Sequence, residues 1–488
     1  MRKLTELEFD NTYARLPAAF YARVAPTPLE APHLVSFNAA AAALLDLDPA
    51  EAASPDFVSY FSGQKILPGA SPLAMLYAGH QFGVYVPQLG DGRAILLGEV
   101  RAAGGARWDL HLKGAGQTPY ARGFDGRAVL RSTIREYLCG EAMHALGIPT
   151  TRALCIVGSR EPVQREQVET AAALLRLAPT HVRFGSFEVF HYRGQHERVR
   201  ELTDYVVAQH FPELAEAADK YRRFLAEVVA RTARLVAQWQ AVGFAHGVMN
   251  TDNMSVVGLT LDYGPFGFMD EFQFGFICNH SDYAGRYAYN QQPAVALWNL
   301  SCLAESLSSL VAREQARAAL DAFQPAFAAH YGALMRRKLG LREARPEDAD
   351  LLLNLLELLD ANAVDYTTFF RRLGDFESGA AARNERLRDL FVEPQAFDAW
   401  AQGYRARLAS EQSADDERRA RMNAVNPKYV LRNYLAQNAI AAAEGGDYAE
   451  LERLRALLAR PFDEQPDMER YSAPPPEGSR RLVVSCSS

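Results

Sequence analysis

HGVMNTDNMSVVGLTLDYG, residues 246–264, is the stretch whose reading decides the fold. It offers an amide at Asn253 and, nine positions later, a carboxylate at Asp262. Hard oxygen atoms of these two kinds hold Mg2+ on phosphate groups when they sit on neighbouring turns. The intervening MSVVGLTL reads as a short hairpin that would bring them together. Asn and Asp are also ordinary turn residues, so DYG alone says little, and its spacing from Asn253 carries the signal.

That spacing matches the protein-kinase pattern, a catalytic loop H-R-D-x-x-x-x-N followed by a metal-binding D-F-G. His246 takes the first position and Asn253 the eighth. Val248 stands where a kinase carries its catalytic Asp, and a valine cannot accept a proton. Asp252 is the nearest substitute base; the competing role for it is an Asx turn or a contact behind the metal ligands.

Upstream, RWDLHLKGAG alternates polar and apolar residues as a half-buried strand does, with Lys113 at its end. A helix is expected over 128–146, where Leu130, Ile134, Leu138 and Ala142 recur every four positions and Gly147 and Pro149 stop it. Glu136 lies on that helix. A strand Lys and a helix Glu are usually surface residues, but in series with the later motif they match the pair that holds an ammonium on nucleotide phosphates. The turn LGDGR supplies Gly90, Gly92 and Arg93, a set that lets backbone N–H groups approach phosphate or simply makes a hairpin turn. GFDGR, with Asp125 and Gly126, precedes the helix, whose N-terminus could receive an anion. Arg176 and Arg183 suit bidentate phosphate contacts, and equally a solvated helix face.

The rest of the chain sets bounds. Its 488 residues are 49% hydrophobic and 23% charged, ordinary for a globular protein with its own core. A net charge of −7 disfavours general nucleic-acid binding. No apolar run is long enough to span a bilayer and the start lacks a signal-peptide core, so a cytoplasmic, non-membrane protein is expected. The scattered Cys139, Cys155, Cys278, Cys302 and Cys486 make neither a disulfide framework nor a zinc motif. The expected fold class is α+β: a bilobal, kinase-like arrangement with a mixed, β-rich N-lobe and a mainly helical C-lobe. Residues 1–75 are read as an extension packed on the N-lobe, 76–160 as the N-lobe, 161–460 as the C-lobe and 461–488 as a flexible tail carrying Cys486. A short helix is expected near 38–45, and long ones over 219–242, 293–311, 314–339, 348–359, 394–412 and 429–444.

KGAGQTPYARGFDGRAVLRSTIREYL, HGVMNTDNMSVVGLTLDYGPFGFMD, GRYAYNQQP and the terminal Cys-Ser-Ser together resemble the selenoprotein O family (SelO, also called YdiU) over nearly the whole chain. The resemblance implies a kinase-like pseudokinase fold that transfers AMP from ATP to Ser, Thr or Tyr hydroxyls of proteins, redox-related ones among them. It also implies UMP transfer from UTP, with Mn2+ as well as Mg2+ as the metal. Carried over by position, Gly90, Gly92, Arg93 and Lys113 contact ATP, and Asp125, Gly126, Arg176 and Arg183 complete the pocket. Asp252 accepts the proton, Asn253 and Asp262 bind the metal, Asp262 also approaches ATP, and Glu136 orients Lys113. Cys278, just after DYG, and Cys486 form a candidate redox pair, against the bland reading of a buried thiol and a free one. A monomer is expected. Two alternatives stay open: an atypical phosphotransferase and a nucleotide-binding scaffold.

Overall fold

The computed structural model describes residues 1–477 and Val484. Its organising element is an eight-stranded sheet in which every pairing is antiparallel. The strands are β1 (Tyr21–Arg23), β2 (His33–Phe37), β3 (Leu73–Met75), β6 (Ala94–Arg101), β7 (Arg107–Lys113), β8 (Ala128–Val129), β9 (Arg152–Gln164) and β10 (Val168–Ala178). They run in the order β1-β3-β6-β7-β10-β9-β2, with β8 beside β10. Between β3 and β6, β4 (Gly79–Gln81) and β5 (Val84–Val86) leave the sheet as a separate hairpin. Its two-residue turn, Phe82 at φ 51° and Gly83 at φ 84°, has the left-handed pair of conformations that fits the twist of a tight hairpin.

Side chains alternate across a strand, and the core divides accordingly. Leu110 and Leu112 of β7 and Leu175 and Leu177 of β10 join a cluster with Leu4, Leu45, Phe57 and Phe61 from the N-terminal segment. Lys113 and Arg176, one position away from those leucines, therefore face the opposite side. There the helix Leu130–Ala145 packs against β9 and β10 through Ile134, Tyr137 and Leu138. It ends as expected: Gly147 adopts φ 76°, Ile148 N–H donates to Met143 O (2.9 Å) and Gly147 N–H to His144 O (3.0 Å). That is the paired closure that satisfies the last carbonyls of a helix.

Beyond β10 the chain is mainly helical. Gly185–Tyr192, His196–His210, Lys220–Ala241 and Gln292–Ser306 continue the core on the side of Ile134, Tyr137 and Leu138, and helices from Phe323–Lys338 to Pro394–Ala409 close another around Phe369, Trp400 and Tyr404. Among the described residues no helix is long and apolar enough to cross a membrane.

The structure corrects several expectations. MSVVGLTL is not a hairpin: Ser255 bridges to Arg183 and Thr260 to Thr150, so the two halves pair with different parts of the chain. The helix expected over 314–339 is two, Arg313–Asp321 and Phe323–Lys338. Pro325 explains the break, because its ring clashes with a carbonyl four residues back and it is tolerated only in a first turn. Arg176 lies on strand β10, not on a helix face. Residues 1–75 supply β1, β2 and β3. Strand β9 runs across residue 160, and the sheet continues through Ala178. Cys486 lies outside the described residues.

Candidate active site

On the helix-covered face of the sheet, a chain of charges runs from the strands to the DYG turn. Lys113 Nζ donates to Glu136 Oε2 (2.5 Å), and Arg176 contacts both Glu136 oxygens, with Nη2 2.9 Å from Oε2. Arg176 Nη2 also lies 2.7 Å from Asp262 Oδ1, and Arg183 Nη1 pairs with Asp262 Oδ2. Burial alone would raise both carboxyls, but Arg176 and Lys113 hold Glu136 below its ordinary range, and Arg176, Arg183 and Lys113 hold Asp262 well below it. Burial lowers the Lys113 ammonium to about 8 against the pull of Glu136. The pair joined in sequence reasoning is thus a network, with Arg176 linking Glu136 to Asp262.

Asp262 adopts φ 57°, a left-handed conformation uncommon outside glycine. His246 ties this turn to the preceding loop. Its Nε2 donates to Leu261 O (3.0 Å) and its Nδ1 faces Val248 N–H (3.4 Å), while burial lowers its pKa and keeps it neutral. The short strands Phe244–Ala245 and Gly267–Phe268 pair on either side and fix the same juxtaposition. Asn253 Nδ2 donates to Val248 O (2.9 Å), which turns its amide oxygen away as a pure acceptor. Arg183 spans both halves, since Nη1 also donates to the Asp252 carbonyl (2.8 Å) while its guanidinium lies over the Tyr77 ring.

Asp252 is buried, with only 7% exposure. Burial raises its carboxyl to about 7 despite Arg183. Oδ2 accepts from Gln81 Nε2 (3.3 Å), and Oδ1 is buried with no partner among the described residues. A carboxylate oxygen left unpaired in this way is costly in a core and is what a proton acceptor needs.

The comparisons with known proteins cover the whole arrangement. The family model described as Protein adenylyltransferase SelO matches residues 3–459. The chain belongs to the SelO family. It is 63% identical over 488 residues to a protein nucleotidyltransferase YdiU of Myxococcus xanthus, with both chains fully covered. Similar proteins of the same name from Thioalkalivibrio sulfidiphilus and Thiobacillus denitrificans are 60% and 58% identical, again over the full length of each. The SelO-family chain is accordingly a nucleotidyltransferase enzyme, which requires a nucleotide substrate and calls for a divalent metal. The donor set fits such an ion: Asn253 presents an amide oxygen and Asp262 an ionised carboxylate, both hard ligands. An ion held there would share a carboxylate that already accepts from Arg176 and Arg183.

The other residues singled out in the sequence have these surroundings. Gly90 has φ 73°, and a Cβ there would lie 2.5 Å from the Tyr120 ring, so the turn is closed to larger residues. Gly92 is hemmed in by the Tyr120 carbonyl, and Arg93 stands exposed where β6 begins. Asp125 pairs bidentately with Arg165 (2.7 and 2.9 Å) and accepts from Arg127 N–H (2.8 Å). Gly126, at φ 73°, abuts the Gly116 backbone. Cys278 Sγ donates to Ala245 O (3.5 Å), and His280 N–H donates to Val484 O (2.9 Å), which sets a residue of the tail beside this segment.

Sequence reasoning missed the β4–β5 hairpin as part of the SelO-family site. Gln81 reaches Asp252, Phe82 N–H donates to Asn250 Oδ1 (3.3 Å) and Tyr287 OH (2.8 Å), and His80 N–H donates to Thr251 Oγ1 (2.7 Å). The one available signal was HQFGVYV, a Gly between short apolar runs. Replacing Gln81 with alanine is expected to lower kcat about threefold to tenfold with KM for the nucleotide unchanged, the size of one lost hydrogen bond. Steady-state kinetics over a nucleotide series checks this, and a pure KM effect would contradict it.

Proposed function

We propose that this chain transfers AMP from ATP to Ser, Thr or Tyr hydroxyls of other proteins, on a two-lobed, kinase-like frame. The observation that carries the reading is the pairing of Val248 with Asp252. The position where a kinase keeps its base is aliphatic, while a buried carboxyl with one unpartnered oxygen sits four residues on, beside Asn253 and near Arg183 and Asp262. The acceptor oxygen attacks the α-phosphorus, the bond to the bridging oxygen breaks, and pyrophosphate leaves. Asp252 takes the hydroxyl proton. Lys113, Arg176 and Arg183, with Arg93 and the Gly90–Gly92 turn, bear the phosphate charge, and Glu136 orients Lys113. Asp125 and Gly126 shape the rim. Mg2+ on Asn253 and Asp262 would supply Lewis-acid polarisation of the phosphate oxygens.

In this reading the first lobe runs through Ala178, with residues 1–75 built into it, the helical lobe extends to about residue 460, and the tail follows. The broader name of the relatives, protein nucleotidyltransferase, specifies no one nucleotide, and UMP transfer from UTP with Mn2+ on the same residues belongs to the reading. Redox control through Cys278 and Cys486 belongs to the reading too, supported by the Val484 contact beside the Cys278 segment. A cytoplasmic monomer acting on protein substrates completes it. Val248 weighs against γ-phosphoryl transfer, and the retention of Lys113, Glu136, Asn253 and Asp262 together weighs against a scaffold. The test is which phosphorus stays with the acceptor: label from the α-phosphate supports the reading, and label from the γ-phosphate alone contradicts it.

A further inference from the structure

The β4–β5 hairpin carries a second cluster, on the side away from the nucleotide residues. His80 meets Glu188 from the helix Gly185–Tyr192 and Cys302 from the helix Gln292–Ser306. The ligating atoms of the three side chains lie within 4.8 Å of one another. His80 Nδ1 and Glu188 Oε1 are 2.9 Å apart, and their side chains are 12% and 0% exposed. Tyr85, Tyr192 and Trp298 surround the imidazole. Among the described residues no lysine or arginine forms an ion pair with Glu188, so a fully buried carboxylate is balanced only by an imidazole and a hydroxyl. Burying a carboxylate with so little compensation is unfavourable unless another positive charge can join it.

We propose that His80, Glu188 and Cys302 form a binding site for a borderline-soft divalent metal, with Zn2+ as the fitting ion, distinct from the Asn253–Asp262 pair. One nitrogen, one oxygen and one sulfur make a three-ligand set with a fourth position for water. Ligands at about 2.0–2.3 Å from zinc in a tetrahedron sit about 3.3–3.8 Å apart, so the His80–Glu188 pair, 2.9 Å apart, opens by a few tenths of an ångström and the sulfur, within 4.8 Å of both, draws in by at most about 1 Å. Imidazole and thiolate favour zinc or cobalt, whereas Mg2+ takes oxygen ligands, so the ion that serves the nucleotide does not compete here. On binding, the hydrogen that His80 Nδ1 shares with Glu188 moves to Nε2 of the same ring, which frees Nδ1 for the metal, and the Cys302 thiol gives its proton to solvent, so one proton is released in total.

The site reaches the catalytic loop directly. Glu188 Oε2 accepts from Thr251 Oγ1 (2.7 Å), whose oxygen also accepts from His80 N–H (2.7 Å), and the neighbours of these two residues, Gln81 and Asp252, touch each other. A metal on His80 and Glu188 would clamp the hairpin to two helices of the helical region, and with it the residue that holds Asp252. The proposal does not depend on which phosphorus is transferred.

The test is a Co2+ titration of the full-length protein in excess Mg2+, which keeps the oxygen-ligand site filled. The expected result is a thiolate-to-cobalt charge-transfer band that saturates at one equivalent, is reversed by Zn2+, and is lost in Cys302→Ser. Zn2+ should also raise the melting temperature of the wild type and not of that variant. Cys302→Ala replaces the serine variant if its metal-free melting temperature falls below wild type. Absence of the band, or a band that persists after Cys302 is replaced, overturns the proposal.

Discussion

Asp252→Asn is expected to slow transfer by about 10²–10⁴-fold, the usual worth of a general base. The substitution is isosteric, leaves the Gln81 contact available, and removes the ability to accept a proton at the unpartnered Oδ1. Because Asp252 meets the acceptor hydroxyl and not the phosphates in this account, nucleotide affinity should stay within about threefold of wild type. Single-turnover rates with a saturating acceptor, alongside a direct nucleotide titration, separate the two quantities. A rate near wild type would remove Asp252 from the chemistry, and a loss confined to nucleotide affinity would reassign it to binding.

Asp262→Asn is expected to take transfer below detection and to abolish metal-dependent nucleotide binding. Asparagine tolerates the left-handed backbone at this position, so the substitution removes charge without adding strain. Two effects then add. The hard carboxylate that would share the metal is gone, and Arg176 and Arg183 lose their common counter-ion. Breaking a buried ion pair costs about 3–5 kcal/mol; here about 1–3 kcal/mol is expected, since Glu136 still pairs with Arg176 and the Asp262 side chain is 24% exposed. Nucleotide binding measured with and without Mg2+, together with a denaturant melt, reads both. Undiminished Mg2+-dependent binding would contradict the metal assignment.

Much of this site was legible because its signals are local. Lys113 ends a strand with clear alternation, Glu136 sits on a helix with a regular apolar stripe, and Gly147 marks the end of that helix by the conformation only glycine adopts freely. Asn253 and Asp262 announced themselves by spacing. What stayed hidden depends on contacts between distant segments. β10 is covered on both faces, so TAAALLRLA shows no polar alternation and Arg176 could be read as a helix-surface charge. The strands β1 and β3 are three residues long, too short for any period to register. Gln81 and Glu188 come from separate regions, and only the folded chain shows that they converge on Asp252 and on its neighbour Thr251. Val248 was visible from the start, and its meaning became concrete once Asp252 Oδ1 was seen to be buried and unpaired.

The most direct test of the central claim is the fate of the phosphorus. The protein is incubated with Mg2+ and an acceptor protein, in parallel with ATP labelled at the α- and at the γ-phosphate, and the acceptor is recovered and counted. The account predicts stable label from the α-phosphate only, with pyrophosphate as the released product and no label with Asp262→Asn. Label from the γ-phosphate alone, with ADP released, would contradict it.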